Sequence, residues 1–278
     1  MNIGFQGVHG AYSELAGREF FSDNDEANFV GLQNFEDIFI GVKEGSLDYG
    51  MIPVENSLAG SVHKNIDLLN KYDLKIVGEV YLKVEHNLLG TPDSTLGDIK
   101  EVYSHWQALA QCEDSIKSHL PNAKVGEYFD TAGSAKFVSE AKDKTKAGIA
   151  SKLAAETYGL KILKGNFEDN HNNYTRFVIV NKNYQDLDTN PDRKHKTSVT
   201  FSGNSVAGFL YSILKCFADR NINLTKIESR PIPEKTWNYF FYVDFEGKYN
   251  DEKCATALDE IRKIVPDLKV LGSYPAYN

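Results

Sequence analysis

The chain has 278 residues, 41% of them hydrophobic and 25% charged, with a formal net charge of -8. That length exceeds one small core and fits two domains of ordinary size. The acidic balance argues against nucleic acid or anionic membrane as a partner, since both need a basic face, and leaves an anionic small molecule held in a locally positive pocket. No apolar run approaches the roughly 18 residues of a membrane span. Met1-Asn2 leads straight into Ile3-Gly4-Phe5-Gln6-Gly7, a strand and a turn rather than an export signal. Cys112, Cys216 and Cys254 are far apart in apolar helical patterns and read as three buried, reduced thiols, which fits a cytoplasmic protein better than a disulfide framework or a zinc site.

In chain order, the first segment alternates strands with amphipathic helices. Phe35, Ile38, Phe39 and Val42 recur at helical spacing, with Gly45 as a stop; a strand at 50–54 follows, then a turn and a helix carrying Val62, Ile66 and Leu69. This order predicts a largely parallel sheet. Val80, Leu82 and Val84 alternate with Glu79, Tyr81, Lys83 and Glu85, which predicts a half-buried strand crossing into a second lobe. That lobe holds a strand before Ser104, a helix through Leu109, Cys112 and Ile116, a helix after Asp130 and a strand at 147–150. Leu160 to Gly165 leads back, and the apolar strand Phe177 to Val180 rejoins the first lobe. The expected plan is an α/β unit of two lobes, about 1–84 with 170–185 and about 85–169, with a cleft between them. Asn181 to Lys196 is polar, contains Pro191 and reads as a linker. From Thr197 the pattern runs β-α-β-β-α-β, a ferredoxin-like sandwich.

Four segments share one design, a strand end followed by a polar turn and a helix start: Gly7 to Glu14, Glu55 to Gly60, Ser104 to Gln107 and Asp130 to Ser134. Strand C-termini in open α/β sheets face a common crevice, where helix N-termini favour anions. Capping explains any one turn, with Ser104 and Gln107 spaced as a capping box and Ser57 and Thr131 as N-caps. Such a crevice suits a carboxylate-bearing ligand, and four such turns together point to a binding cleft without naming what it binds. Asn172-Asn173-Tyr174-Thr175-Arg176-Phe177 puts a hydroxyl and a guanidinium at a strand start, where Arg can clasp a carboxylate and Thr can reach a leaving oxygen. The alternative is a strand-edge Thr beside an Arg in a structural ion pair. Glu55 reads equally as a second acid or a buttress of its loop, and His105 and His171 as packing or solvated residues. No metal-ligand spacing occurs.

These motifs resemble those of prephenate dehydratases. Pro53 to Ser57 is similar to the family's P-x-E-N-S, Ser104-His105-Trp106-Gln107-Ala108-Leu109 to S-H-P-Q-A-L, Tyr174 to Phe177 to the N-x-T-R-F strand, and Gly7 to Glu14 to G-P-x-G-T-Y-S-E. Ile222 to Pro231 is similar to the I-N-L-T-K-I-E-S-R-P stretch of the ACT domain that follows such enzymes. The resemblance implies a periplasmic-binding-protein-like catalytic domain at 1–185 and a phenylalanine-sensing ACT domain at 197–278. The implied activity is cofactor-free and metal-free conversion of prephenate to phenylpyruvate with loss of water and carbon dioxide, by a homodimer or homotetramer under phenylalanine feedback. Thr175, Asn56 and Gln107 carry over as catalytic, and Glu55, Ser57, Ser104, Thr131, Ala132, Arg176, Phe177 and Tyr12 as substrate-binding. Gly208, Phe209, Leu210, Asn223, Leu224, Glu228, Ser229, Arg230 and Pro231 carry over as the effector site. Val8, Ala11, Trp106 and Phe209 depart from the family pattern, as does Gly133-Ser134, and Phe209 is much bulkier than the usual Ala. The alternatives are an arogenate dehydratase and a non-catalytic amino-acid sensor on the same scaffold. A bifunctional enzyme with an N-terminal mutase is not expected, because the dehydratase opening stands at residue 7.

Overall fold

The computed structural model describes residues 1–22, 24, 26–184, 193–203, 206–232, 237–265 and 267–277. Its elements begin with β1 (Asn2–Gln6), α1 (Tyr12–Phe20), β2 (Asn28–Leu32), α2 (Phe35–Glu44), β3 (Tyr49–Asn56), β4 (Gly60–Ser61), α3 (His63–Lys71) and β5 (Lys75–Lys83). They continue with β6 (Asn87–Gly90), β7 (Glu101–Ser104), α4 (Trp106–Gln111), α5 (Glu113–His119), β8 (Lys124–Glu127), α6 (Thr131–Ala141), β9 (Lys146–Ala150), α7 (Lys152–Tyr158), β10 (Lys161–Lys164) and β11 (Tyr174–Asn181). The last group is β12 (His195–Ser202), α8 (Phe209–Ala218), β13 (Leu224–Pro231), β14 (Tyr239–Glu246), α9 (Glu252–Ile264) and β15 (Lys269–Pro275).

The first sheet has the order β2-β1-β3-β11-β5, with β4 paired to β3, and β1 runs parallel to β2. The second, β10-β6-β9-β7-β8, is mixed: β7 is parallel to β8 and β9, and β6 is antiparallel to β9 and β10. By packing the chain forms two compact units, Met1–Ile38 with Met51–Ser61 and Val80–Phe177, and Phe39–Gly50 with Val62–Glu79 and Val178–Asn278. β3, β5 and β11 are each divided between the two units.

In the first unit, the second sheet buries Leu88, Val102, Ala147 and Ile149 in one cluster with Leu109, Cys112, Ile116 and Phe167. Each large apolar side chain so buried contributes about 2 kcal/mol. The expected helix through Cys112 is two short helices that meet at that residue, α4 and α5.

In the second unit, β12-α8-β13-β14-α9-β15 forms a four-stranded sheet of order β13-β14-β12-β15, the ferredoxin-like arrangement expected. Its helices bury Ile213, Cys216, Phe217, Leu258 and Ile261 against Val199, Phe201, Val243 and Phe245. Two expectations change here. Residues 185–192 of the expected linker lie outside the described residues, and β12 starts at His195, so Lys196 belongs to the strand. Glu79 is not on an exposed face: it is buried, and its carboxylate takes Lys196 Nζ at 2.8 Å and the Tyr277 N–H at 2.9 Å.

Candidate active site

The first unit gathers the ends of several elements around a cavity of about 130 Å³. Gly7 and Gly10 turn the chain from β1 into α1 with positive φ angles of 110° and 91°, a region open to glycine at little cost. Ala11, at the α1 N-cap, makes no side-chain cap; instead the buried Glu14 carboxylate takes the Gly10 N–H at 2.8 Å and Arg18 at 2.7 Å. Tyr12 then opens α1 and lines the cavity. Asn56 ends β3, Thr175 begins β11, Gln107 and Gln111 lie four residues apart on α4, Thr131 opens α6, and His86 follows β5; all line the same space.

Asn56 organises the wall. Its Oδ1 accepts from the backbone N–H groups of Leu58 at 3.0 Å and Ala59 at 2.9 Å, and backbone donors fix which way a side-chain amide faces. Nδ2 therefore donates to Asn173 Oδ1 at 2.7 Å, the Tyr174 carbonyl at 3.2 Å and Thr175 Oγ1 at 3.0 Å. Because the Thr175 oxygen accepts this bond, its own hydroxyl hydrogen is left for the cavity. Asn173 Nδ2 donates onward to Gln111 Oε1 at 3.0 Å, which also lies 3.0 Å from His86 Nε2. The Tyr12 hydroxyl is 2.9 Å from His86 Nδ1 and 2.8 Å from the Glu85 carbonyl.

Burial dominates the electrostatics. It holds the His86 imidazole below its ordinary pKa and the Tyr12 phenol well above, so both are neutral near pH 7. Burial likewise lowers His105 and raises Asp130, the latter opposed by the Gly133 N–H that Asp130 caps at 2.5 Å. Among the described residues, those that line the cavity include no Lys, Arg, Asp or Glu. Gln107 on α4 and Thr131 at the start of α6 put a neutral amide and a neutral hydroxyl on its wall.

The sequence profile of the prephenate dehydratase family matches residues 3–185. The chain belongs to the prephenate dehydratase family. Among prephenate dehydratase relatives, the bifunctional chorismate mutase/prephenate dehydratase of Aquifex aeolicus is 37% identical over 99% of this chain and 74% of its own length. Arogenate dehydratase 2 of Petunia hybrida is 40% identical over 99% and 72%. A prephenate dehydratase from Arthrobacter aurescens, solved in complex with L-Phe, superposes with a TM-score of 0.90 at 31% identity, covering 100% of this chain and 92% of its own. A solved structure described as GqqA, a novel type of quorum quenching acylase, gives 0.88 at 36%, covering 100% and 98%. The chain is thus an enzyme of the prephenate dehydratase type.

The candidate residues divide. Thr175, Asn56, Gln107, Tyr12 and Thr131 line the cavity; Glu55, Ser57, Ser104, Ala132, Arg176 and Phe177 do not. Ser57 caps no helix, since β4 follows its turn. It ties two segments together: its N–H donates to the Tyr174 carbonyl at 2.8 Å, its hydroxyl donates to the Asn172 carbonyl at 3.0 Å, and Tyr174 N–H donates to Ser57 Oγ at 2.9 Å. Ser104 forms no capping box; its buried hydroxyl donates to the Ile149 carbonyl at 2.6 Å, and His105 caps α4 instead. Asp130 rather than Thr131 is the N-cap of α6. Glu55 pairs with Ser61 of β4. Strand alternation turns Arg176 away from Thr175, to a buried position with its guanidinium 5.9 Å from the Tyr81 ring centroid. Ala132 and Phe177 are core residues. His171 sits 3.0 Å from Glu168 Oε1, and Glu168 Oε2 takes the His86 N–H at 2.8 Å. His86 and Gln111 also line the cavity, and Asn173 bonds to Asn56 and Gln111, though none of the three was singled out from sequence as a site residue; the Gln107–Gln111 spacing, which places both on one helix face, is the signal that could have found Gln111.

In the second unit Gly208 caps α8 at φ 82°. Phe209 is partly buried against the sheet core, with its ring centroid 6.2 Å from that of Phe241. Leu210 follows it on α8, and Leu224 also packs on that core. Asn223 donates to Glu246 at 3.1 Å. Glu228 lies 3.2 Å from His63, and Arg230 clasps Asp67 with bonds of 2.9 and 2.8 Å, both partners on α3. Ser229 and Pro231 are exposed. Among the described residues no group of three or more His, Cys, Asp or Glu is placed to hold a metal ion, and no helix is long and apolar enough to cross a membrane.

Proposed function

We propose that this chain converts prephenate into phenylpyruvate, water and carbon dioxide, with Thr175 as the group that assists departure of the ring hydroxyl. The observation that carries this reading is the bond from Asn56 Nδ2 to Thr175 Oγ1 at 3.0 Å, which spends a Thr lone pair and presents the hydroxyl hydrogen to the cavity. In the reaction the bond to the ring carboxylate breaks, its electrons move through the ring, and the opposite C–O bond breaks. One proton is taken up, and aromatisation drives the change. Thr175 donates a hydrogen bond to the departing oxygen while solvent supplies the proton that completes the water. Gln107 and Thr131 meet carboxylate charge as neutral donors, so the wall acts by positioning and preset dipoles. No step calls for a metal or nicotinamide.

Arogenate is a second reading, supported by the 40% identity to the Petunia enzyme of that name. Residues 197–278 serve as the ACT domain and phenylalanine as the feedback effector, supported by the L-Phe complex of the Arthrobacter relative. Gly208 to Leu210 on α8, and Asn223, Leu224 and Glu228 to Pro231 at and along β13, lie on different elements, which suits an effector site shared between two copies in a homodimer or homotetramer. Three buried free cysteines suit a reducing cytoplasm. The test is turnover of prephenate and of arogenate by the purified chain, each with and without phenylalanine. Prephenate turnover suppressed by phenylalanine is expected; turnover of arogenate alone would transfer the assignment to the second reading.

A further inference from the structure

Tyr12 and His86 line the cavity beside Thr175, yet the reaction as described gives neither a task. We propose that His86 is a positioning residue, held as the neutral Nε2–H tautomer so that its Nδ1, together with the Glu85 carbonyl, accepts the Tyr12 hydroxyl hydrogen and Tyr12 meets the leaving oxygen as an acceptor. The proposal rests on the prephenate reading. Its basis is the direction of the hydrogen bonds, which starts from groups that cannot turn round.

The Leu58 and Ala59 N–H groups orient Asn56; Asn56 Nδ2 then requires Oδ1 of Asn173 to face it, and Asn173 Nδ2 requires Oε1 of Gln111. Reversing any amide sets donor against donor or acceptor against acceptor. His86 Nε2, 3.0 Å from that Gln111 oxygen, must therefore carry a hydrogen. In the neutral ring Nδ1 is then a lone pair, 2.9 Å from the Tyr12 hydroxyl, whose other neighbour, the Glu85 carbonyl at 2.8 Å, is also an acceptor. The phenol hydrogen is committed to this pair, and the Tyr12 oxygen offers only lone pairs to the cavity. A hydroxyl leaving as water gains one hydrogen and then carries two, which need acceptors; Thr175 supplies the donor and Tyr12 the acceptor.

Imidazole 15N NMR of the wild-type chain at pH 7 tests the tautomer without reference to activity: Nε2–H with an unprotonated Nδ1 is expected for His86, and Nδ1–H would overturn the proposal. Kinetics on prephenate test the task. Tyr12→Phe and His86→Gln, which keeps a donor to Gln111 but has no group at Nδ1, should each lower kcat about 10-fold with KM within about 2-fold, a typical hydrogen-bond effect. The double variant should fall no further than either single one, and His86→Asn, whose amide oxygen reaches the Nδ1 position, should recover most of the loss. Multiplying losses in the double variant, or a raised KM at unchanged kcat, would reduce His86 to a structural role. Absence of prephenate turnover in the wild type, with the expected tautomer present, would reject the substrate instead.

Discussion

Asn56→Asp keeps the side-chain shape and inverts one half of its hydrogen bonding. The oxygen facing Leu58 and Ala59 still accepts both N–H groups, but the other atom now presents lone pairs to Asn173 Oδ1, the Tyr174 carbonyl and Thr175 Oγ1, which lay 2.7, 3.2 and 3.0 Å from a donor. Two N–H hydrogens served these three acceptors. At about 1 kcal/mol for each lost bond, and with a carboxylate now confronting buried oxygens, stability at pH 7 should fall by about 3 kcal/mol. Thr175 can relieve one clash by donating to the new carboxylate, which withdraws its hydrogen from the substrate, so kcat should fall about 100-fold, in the range of a lost proton-transfer partner. Protonation restores a donor. The new carboxyl is thus stabilised in its neutral form, with a folded pKa above its unfolded value near 3.9. The sign follows: the recovered stability is present below about pH 4 and lost as pH rises through the folded pKa. Urea unfolding of wild type and variant between pH 4 and 8 measures it; a stability difference independent of pH, or an unchanged kcat, would refute the wiring of this wall.

Three further outcomes follow from the same structure. Gly10→Ala puts a Cβ 2.6 Å from Ala154 Cα at a φ of 91°, and should cost about 3 kcal/mol in urea unfolding. Lys196→Met removes the 2.8 Å bond from Lys196 Nζ to the buried Glu79 carboxylate, and should cost about 2 kcal/mol at pH 7 in urea unfolding. His86 has a folded pKa lowered by burial, so its contribution to stability is present above the unfolded value near 6.5 and lost as pH falls toward the folded one. His86→Gln should accordingly flatten part of the acid-side decline in a pH series of thermal melts.

The legible part of the site is the part set by backbone geometry. Thr175, Asn56, Gln107, Tyr12 and Thr131 converge because strand ends and helix starts of an α/β sheet share a crevice, and their motifs announce those ends. The illegible part is a matter of partners. Ser57 and Ser104 have hydroxyls in the right turns, but both are consumed by ties to backbone carbonyls. Arg176 sits one residue from Thr175, and the strand period sends it to the other face. His86, Gln111 and Asn173 join through contacts spanning 25 and 62 positions, which no local pattern encodes. In the fold, alternation placed Glu79 outward, whereas its pairing with Lys196 117 positions away buries it.

The measurement that bears most directly on the central claim is steady-state turnover of prephenate by the wild-type chain, Thr175→Val and Thr175→Ser, with folding of each checked by thermal melt. Thr175→Val should lose at least about 100-fold in kcat at a similar KM, and Thr175→Ser, which keeps the hydroxyl, should retain most of it. Near-normal turnover by a folded Thr175→Val enzyme would contradict the assignment of Thr175 as the group that meets the leaving oxygen.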